Sequence, residues 1–122
     1  RALVAGMVEA GETMMPGSGS DIADPDATES AYEGAPLAPL LSLFAAADEF
    51  GAELAQIECP LLLFTSPQDH VVPPTDSDHL AANVSGPLER VTCERSYHVA
   101  TLDYDKGIIE EGAVAFADRV TA

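Results

Sequence analysis

Basic residues are scarce. The 122-residue chain carries five Lys and Arg, only Lys106 among them a lysine, against 21 Asp and Glu, for a formal net charge of -16. A surface of that sign repels phosphate backbones and anionic lipid, which argues against nucleic acid and membrane surfaces as partners. No run of about 18 apolar residues occurs, so no membrane span is expected. Cysteines are equally few. Cys59 and Cys93 are too few for a zinc site, and neither belongs to a Cys-x-x-Cys pair. Each falls at an apparent strand position, which predicts two buried, reduced thiols rather than a disulfide. No internal repeat is present.

What is present is enough to fold. The length suits one small domain with a modest core. The hydrophobic fraction is 47%, and the acidic residues are interleaved with Ala, Leu and Val rather than gathered in a tail. Such an acid excess suits a salty cytoplasm, the expected location. The chain opens on Arg1, without Met and inside a helical pattern. A piece of a longer protein is expected.

Composition divides the chain near Ile57. In residues 1–57, Leu3, Met7, Ala10 and Met14 recur at helical steps, weakened at Gly11 and ended by Pro16-Gly17. Residues 17–39 are rich in Gly, Ser, Asp and Pro and have no period, which predicts a long surface loop of the kind used as lids or binding loops. Leu40, Leu41, Phe44 and Ala47 mark a second short helix. In residues 58–122, Leu61-Leu62-Leu63-Phe64 reads as a strand of a parallel sheet. A helix to about Val84 follows, with Thr75 or Asp76 as its cap. A second strand runs from Leu88 to Cys93. A last helix, capped by Asp103 or Asp105, presents Ile109, Ala113, Phe116 and Val120 as an apolar stripe. Strand–helix–strand–helix order predicts an α/β fold. Two strands leave bare edges and an uncovered face, so further strands are expected from elsewhere.

Chemistry concentrates in the loops after the two strands. Asp69 lies in Gln68-Asp69-His70-Val71-Val72-Pro73-Pro74, and His98 in Ser96-Tyr97-His98-Val99-Ala100-Thr101-Leu102-Asp103. Sites of open α/β sheets assemble at the carboxyl ends of neighbouring strands. A carboxylate bonded to one imidazole nitrogen leaves the other free to take a proton from a hydroxyl nucleophile. Alone, Asp69 also suits a turn residue bonding its own backbone, and His98 a satisfied loop histidine. Their placement together favours the catalytic pair. His70 and His79 read as ordinary. Asp76, Asp78 and His79 lack the i, i+4 spacing of a helical metal site, so no metal is expected. Met7, Met14, Met15, Leu40, Leu43 and Phe44 fit a core, or the lining of an acyl pocket.

In these two phrases the chain resembles the C-terminal portion of an α/β-hydrolase-fold serine esterase, of the bacterial carboxylesterase and monoacylglycerol lipase group. The likeness covers residues 57–120, with the order acid then histidine. It implies an α/β fold made of the last two parallel strands and flanking helices of that fold, preceded over residues 1–57 by part of a helical cap. It also implies ester hydrolysis through an acyl-enzyme, with Asp69 as acid, His98 as base, no cofactor, and a small-molecule ester or acylglycerol as substrate. The family's Gly-x-Ser-x-Gly nucleophile elbow does not occur here. The nearest phrase, Gly17-Ser18-Gly19-Ser20, has the wrong spacing and follows no expected strand. The serine is therefore expected from the missing N-terminal half of the same protein, and the 122 residues alone are expected to be inactive. A thioesterase, lactone hydrolase or peptidase of the same fold is the nearer alternative, and a non-catalytic interaction module the more distant one.

Overall fold

A computed structural model describes residues 1–17 and 19–122. They form two units: Arg1–Gly19 with Ser30–Leu54, and Ser20–Glu29 with Ala55–Ala122.

The first unit contains helix α1 (Ala2–Glu9), strands β1 (Met14–Pro16) and β2 (Gly34–Pro36), and helix α2 (Leu37–Gly51). Helix α1 packs on α2, and Val4, Leu37 and Leu54 are buried. The helical period through Met14 does not carry α1 that far. Gly11 adopts φ +85°, and the N–H groups of Gly11 and Glu12 turn back to the carbonyls of Val8 and Met7 at 2.9 and 3.0 Å. This left-handed glycine stop satisfies the last helical carbonyls and ends the helix. Met14 therefore joins a short antiparallel ribbon in which Met14, Met15 and Pro16 face Pro36, Ala35 and Gly34. That ribbon interrupts the loop expected over residues 17–39, and α2 begins at Leu37 rather than Leu40. Pro39 fits because it falls in the first turn, where its missing N–H costs nothing. Met14 and Leu43 are 50% and 62% exposed, so neither is core.

The second unit holds strands β3 (Leu61–Thr65) and β4 (Leu88–Thr92), joined through α3 (Pro74–Asn83) and followed by α4 (Lys106–Thr121). The strands pair in parallel, from Leu61 opposite Leu88 to Thr65 opposite Thr92. Both helices pack on β3. Helix α3 starts at Pro74, whose fixed φ suits a first helical residue, with Pro73 as N-cap. Thr75 and Asp76 thus lie inside the first turn instead of capping it, and Asp76 complements the helix dipole there. Gly86 allows the exit of α3 to lie against the entry to β3. The N–H groups of Ser85 and Gly86 bond the Ile57 carbonyl at 3.0 and 2.8 Å, and a Cβ on Gly86 would overlap the Cys59 carbonyl. On α4, Ile109, Gly112 and Phe116 are half-buried while Ala113 and Val120 are exposed. Gly112 lets the helix approach the Phe64 ring, 3.0 Å from where a Cβ would stand.

Ser20–Glu29 groups with the second unit, so a boundary drawn at residue 57 does not follow the division in space. The cause is Asp103, which is 1% exposed and accepts the N–H groups of Ala23 and Asp24 at 2.7 and 3.0 Å.

Candidate active site

Strand β3 ends on Thr65 and the chain turns at Ser66. The buried Ser66 hydroxyl donates to the Ser96 carbonyl and accepts the Gln68 N–H at 3.2 Å. Gln68 Nε2 donates to the Glu94 carbonyl at 2.5 Å. The loops after β3 and β4 are therefore braced together before either functional group appears. Asp69 follows, and its two oxygens act differently. Oδ1 accepts the N–H groups of Val71 and Val72 at 2.8 and 2.7 Å, closing the turn that leads to Pro73 and Pro74. Oδ2 lies 2.8 Å from Nδ1 of His98. Burial works against the Asp69 charge, but hydrogen bonds from His98, Val72 and Val71 outweigh it and hold its pKa below the usual carboxylate value.

His98 is presented by the loop after β4. Its side chain is 37% exposed, that of Asp69 16%. With Nδ1 donating to the carboxylate, Nε2 is left as an acceptor pointed away from Asp69. The geometry suits a base that takes a proton from a hydroxyl and whose charged form is stabilised by its neighbour.

Two acids that the sequence did not single out for this region complete it. Asp21 Oδ2 accepts the main-chain N–H groups of His70 and His98, and its Oδ1 meets His70 Nδ1 at 2.8 Å. Asp103, expected as a helix cap, instead accepts four N–H groups, from Ala23, Asp24, Tyr97 and Tyr104, at 2.7–3.0 Å. Burial opposes its charge and those four bonds lower its pKa in spite of it. Asp105 stands at the N-cap of α4 with no side-chain cap bond; its carboxylate accepts from Arg95 N and Ser96 Oγ. Both acids satisfy loop donors that are partly or fully shielded from water, a stronger demand than a solvated helix end makes. No short-range pattern marks Asp21, whose partners are 49 and 77 residues away.

The remaining candidates lie elsewhere. His70 is exposed, bonded to Asp21 and set edge-on to the Tyr97 ring. His79 is exposed on α3 beside Asn83, and Asp78 pairs with Arg90 at 2.6 Å. Among the described residues no group of three or more His, Cys, Asp or Glu is placed to hold a metal. Both cysteines are free, and Cys59 is exposed in the bend before β3, correcting the expected buried strand position. Cys93 is buried, and that burial, with the Asp105 charge, pushes its thiol pKa up. In the first unit, Met14 lines an apolar concavity of about 520 Å³ with Tyr32, Glu33, Gly34 and Pro36. Ser18 lies outside the described residues. No helix among them is long and apolar enough to cross a membrane.

The chain is similar to known lipolytic proteins. A thermostable monoacylglycerol lipase of Bacillus sp. (strain H-257) is 43% identical over 118 residues, 94% of this chain and 47% of the relative. A solved structure described under LipS and LipT, two metagenome-derived lipolytic enzymes, superposes with a TM-score of 0.84 at 35% identity. It covers 88% of this chain and 44% of that one. The chain thus spans about half the length of the relatives it matches. No family model matches it.

Proposed function

We propose that this chain, which belongs to the α/β-hydrolase-fold esterases and lipases, supplies the acid and the base of a carboxylic ester hydrolase. The observation that carries the reading is the 2.8 Å contact between Asp69 Oδ2 and His98 Nδ1 at the carboxyl ends of adjacent parallel strands. In the reaction, Nε2 of His98 removes the proton of a serine hydroxyl as that oxygen attacks the ester carbonyl. The resulting imidazolium is stabilised by ionised Asp69 and returns the proton to the departing alcohol. Water, activated the same way, then releases the acid from the acyl-enzyme. The triad and its two half-reactions need no cofactor. The serine and the N–H donors for the developing oxyanion come from residues beyond these 122, consistent with the absence of Gly-x-Ser-x-Gly from the sequence.

Monoacylglycerols are the substrates proposed first, because the curated relative bears that name. The test is hydrolysis of a monoacylglycerol and of a p-nitrophenyl ester by the full-length protein. His98→Ala abolishes both activities. Full rate in that variant would remove the assignment.

A further inference from the structure

Ser20–Glu29 brings to this region one carboxylate that the proposed reaction does not use. Asp21 Oδ2 lies 3.0 Å from the main-chain nitrogen of His70 and 3.1 Å from that of His98. Its Oδ1 lies 2.8 Å from His70 Nδ1, and its own carbonyl accepts the Val99 N–H at 3.1 Å. His70 directly follows the acid, and His98 is the base. One carboxylate oxygen therefore grips the backbone of both loops, at the base itself and at the residue that follows the acid. The side chain is 15% exposed. Burial opposes its charge, but bonds from His70 and His98 hold its pKa below the usual carboxylate value, so the clamp is ionised at neutral pH.

The clamp is itself held in place. Two and three residues on, the N–H groups of Ala23 and Asp24 are fixed by buried Asp103, which also takes the N–H of Tyr97, the residue before His98. On the other side, the His70 ring stands edge-on to Tyr97 with centroids 4.6 Å apart. A displaced Asp21 would release the main chain of His98 while Asp69 stayed fixed by Val71 and Val72.

We propose that Asp21 is a positioning residue for the base: by accepting the main-chain N–H groups of His70 and His98 on one oxygen, it sets the reach of His98 Nδ1 to Asp69. The inference rests on the Asp69–His98 reading. What matters is an acceptor at one point. The amide introduced by Asp21→Asn can place a carbonyl oxygen there and accept both N–H groups, whereas Ala has no acceptor and Glu carries its carboxylate a methylene too far.

The experiment uses the full-length protein and a p-nitrophenyl ester. Asp21→Ala lowers kcat about 100-fold with KM little changed, the loss that a misplacement of about 1 Å brings. The far-downfield proton resonance of the His98 Nδ1–H bonded to Asp69 weakens in parallel. Asp21→Asn recovers most of kcat and of the resonance, which a requirement for charge alone does not allow. A kcat for Asp21→Ala within about threefold of the parent overturns the proposal, as does a loss that Asn fails to recover. If Asp21→Ala does not fold, Asp21→Glu decides. A lowered kcat with the parental melting temperature supports the clamp, and a parental kcat overturns it. His98→Ala separates the two layers. Loss of activity there with parental activity in Asp21→Ala overturns the clamp alone, while activity retained in His98→Ala overturns both.

Discussion

Asp69 and His98 stand 29 positions apart in the chain and 2.8 Å apart in space. Their meeting follows from pairing β3 with β4 in parallel, because the two strands then deliver their following loops to the same end of the sheet. Asp69 is also held on its other oxygen by two N–H groups, so its orientation toward His98 does not depend on His98. The acid is preorganised by its own turn.

That division of labour between the two oxygens makes chemistry and stability separable. Asp69→Asn keeps an acceptor for Val71 and Val72 but presents the wrong partner to Nδ1. Turnover should fall by about 10,000-fold, as in the serine-protease template, with little change in melting temperature. Asp69→Ala should lose the rate and also about 0.5–1.5 kcal/mol of stability for each turn bond lost, because water reaches the exposed N–H groups of Val71 and Val72. Steady-state kinetics beside thermal melts of the two variants check this. Equal stability in both would mean that the Oδ1 bonds contribute nothing.

The 122 residues by themselves should not hydrolyse a p-nitrophenyl ester above the background of free histidine. The sequence has no Gly-x-Ser-x-Gly elbow to present a serine to His98, and an oxyanion-hole donor is typically worth about 100–1,000-fold in turnover. The measurement is initial rate for the purified chain before and after His98→Ala. A rate that His98→Ala abolishes would require a nucleophile within this sequence.

Acid should loosen the second unit through its lowered carboxylates. The folded pKa values of Asp21, Asp69 and Asp103 lie below their ordinary ones, so the unfolded chain binds more protons in that range. Their contribution is fully present above the unfolded pKa, near pH 4, and is lost as pH falls through the folded values. Denaturation midpoints of the full-length protein measured from pH 7 down to about pH 3 should therefore drop at the acid end. Asp103→Asn should be less stable at neutral pH, since its amide donor faces N–H groups, and should show a shallower acid limb. An unchanged limb would remove Asp103 from the account.

Gly86→Ala should destabilise the protein by about 1–3 kcal/mol, the usual cost of forcing atoms into filled space. The obstruction is main chain, the carbonyls of Cys59 and Glu58, and cannot swing aside as a side chain would. Urea titration checks it. Gly6→Ala is the contrast, because nothing stands within 4 Å of the added carbon and α1 gains a better helix former.

The second unit was legible because its signals are local and strong. The Leu61–Phe64 run, the second apolar stretch from Leu88 and the two loop phrases locate β3, β4 and the two loops that follow them. Asp69 was readable in two ways, as a turn residue or as the partner of a histidine; in the structure one oxygen closes the turn and the other lies 2.8 Å from His98 Nδ1. What stayed hidden depends on distant partners. A three-residue ribbon is too short for a period of two to register, so β1 and β2 vanished into an expected loop. Asp21 sat in that same aperiodic stretch. Asp103 and Asp105 had the spacing of helix caps, and Asp105 does stand at the N-cap of α4, yet the carboxylates of both are taken by loop donors elsewhere. Cys59 followed the apolar pattern of β3 but fell one residue before Pro60, in the bend rather than the strand.

The register of β3 against β4 has a further consequence, for how this region tolerates change in length. The strands run opposite each other from Leu61 and Leu88 to Thr65 and Thr92, and the next rung, from Cys93 N–H to the Thr65 carbonyl, closes at 2.8 Å. They act as two rulers cut to the same length. One residue added to either would carry its loop about 3.3 Å along the strand axis and reverse the face of every side chain beyond the insertion. That step exceeds the whole length of the bond between Asp69 and His98. Insertions should therefore be found in the helices' outer turns and in the loop before Gly34, and never between Leu61 and Asp69 or between Leu88 and His98.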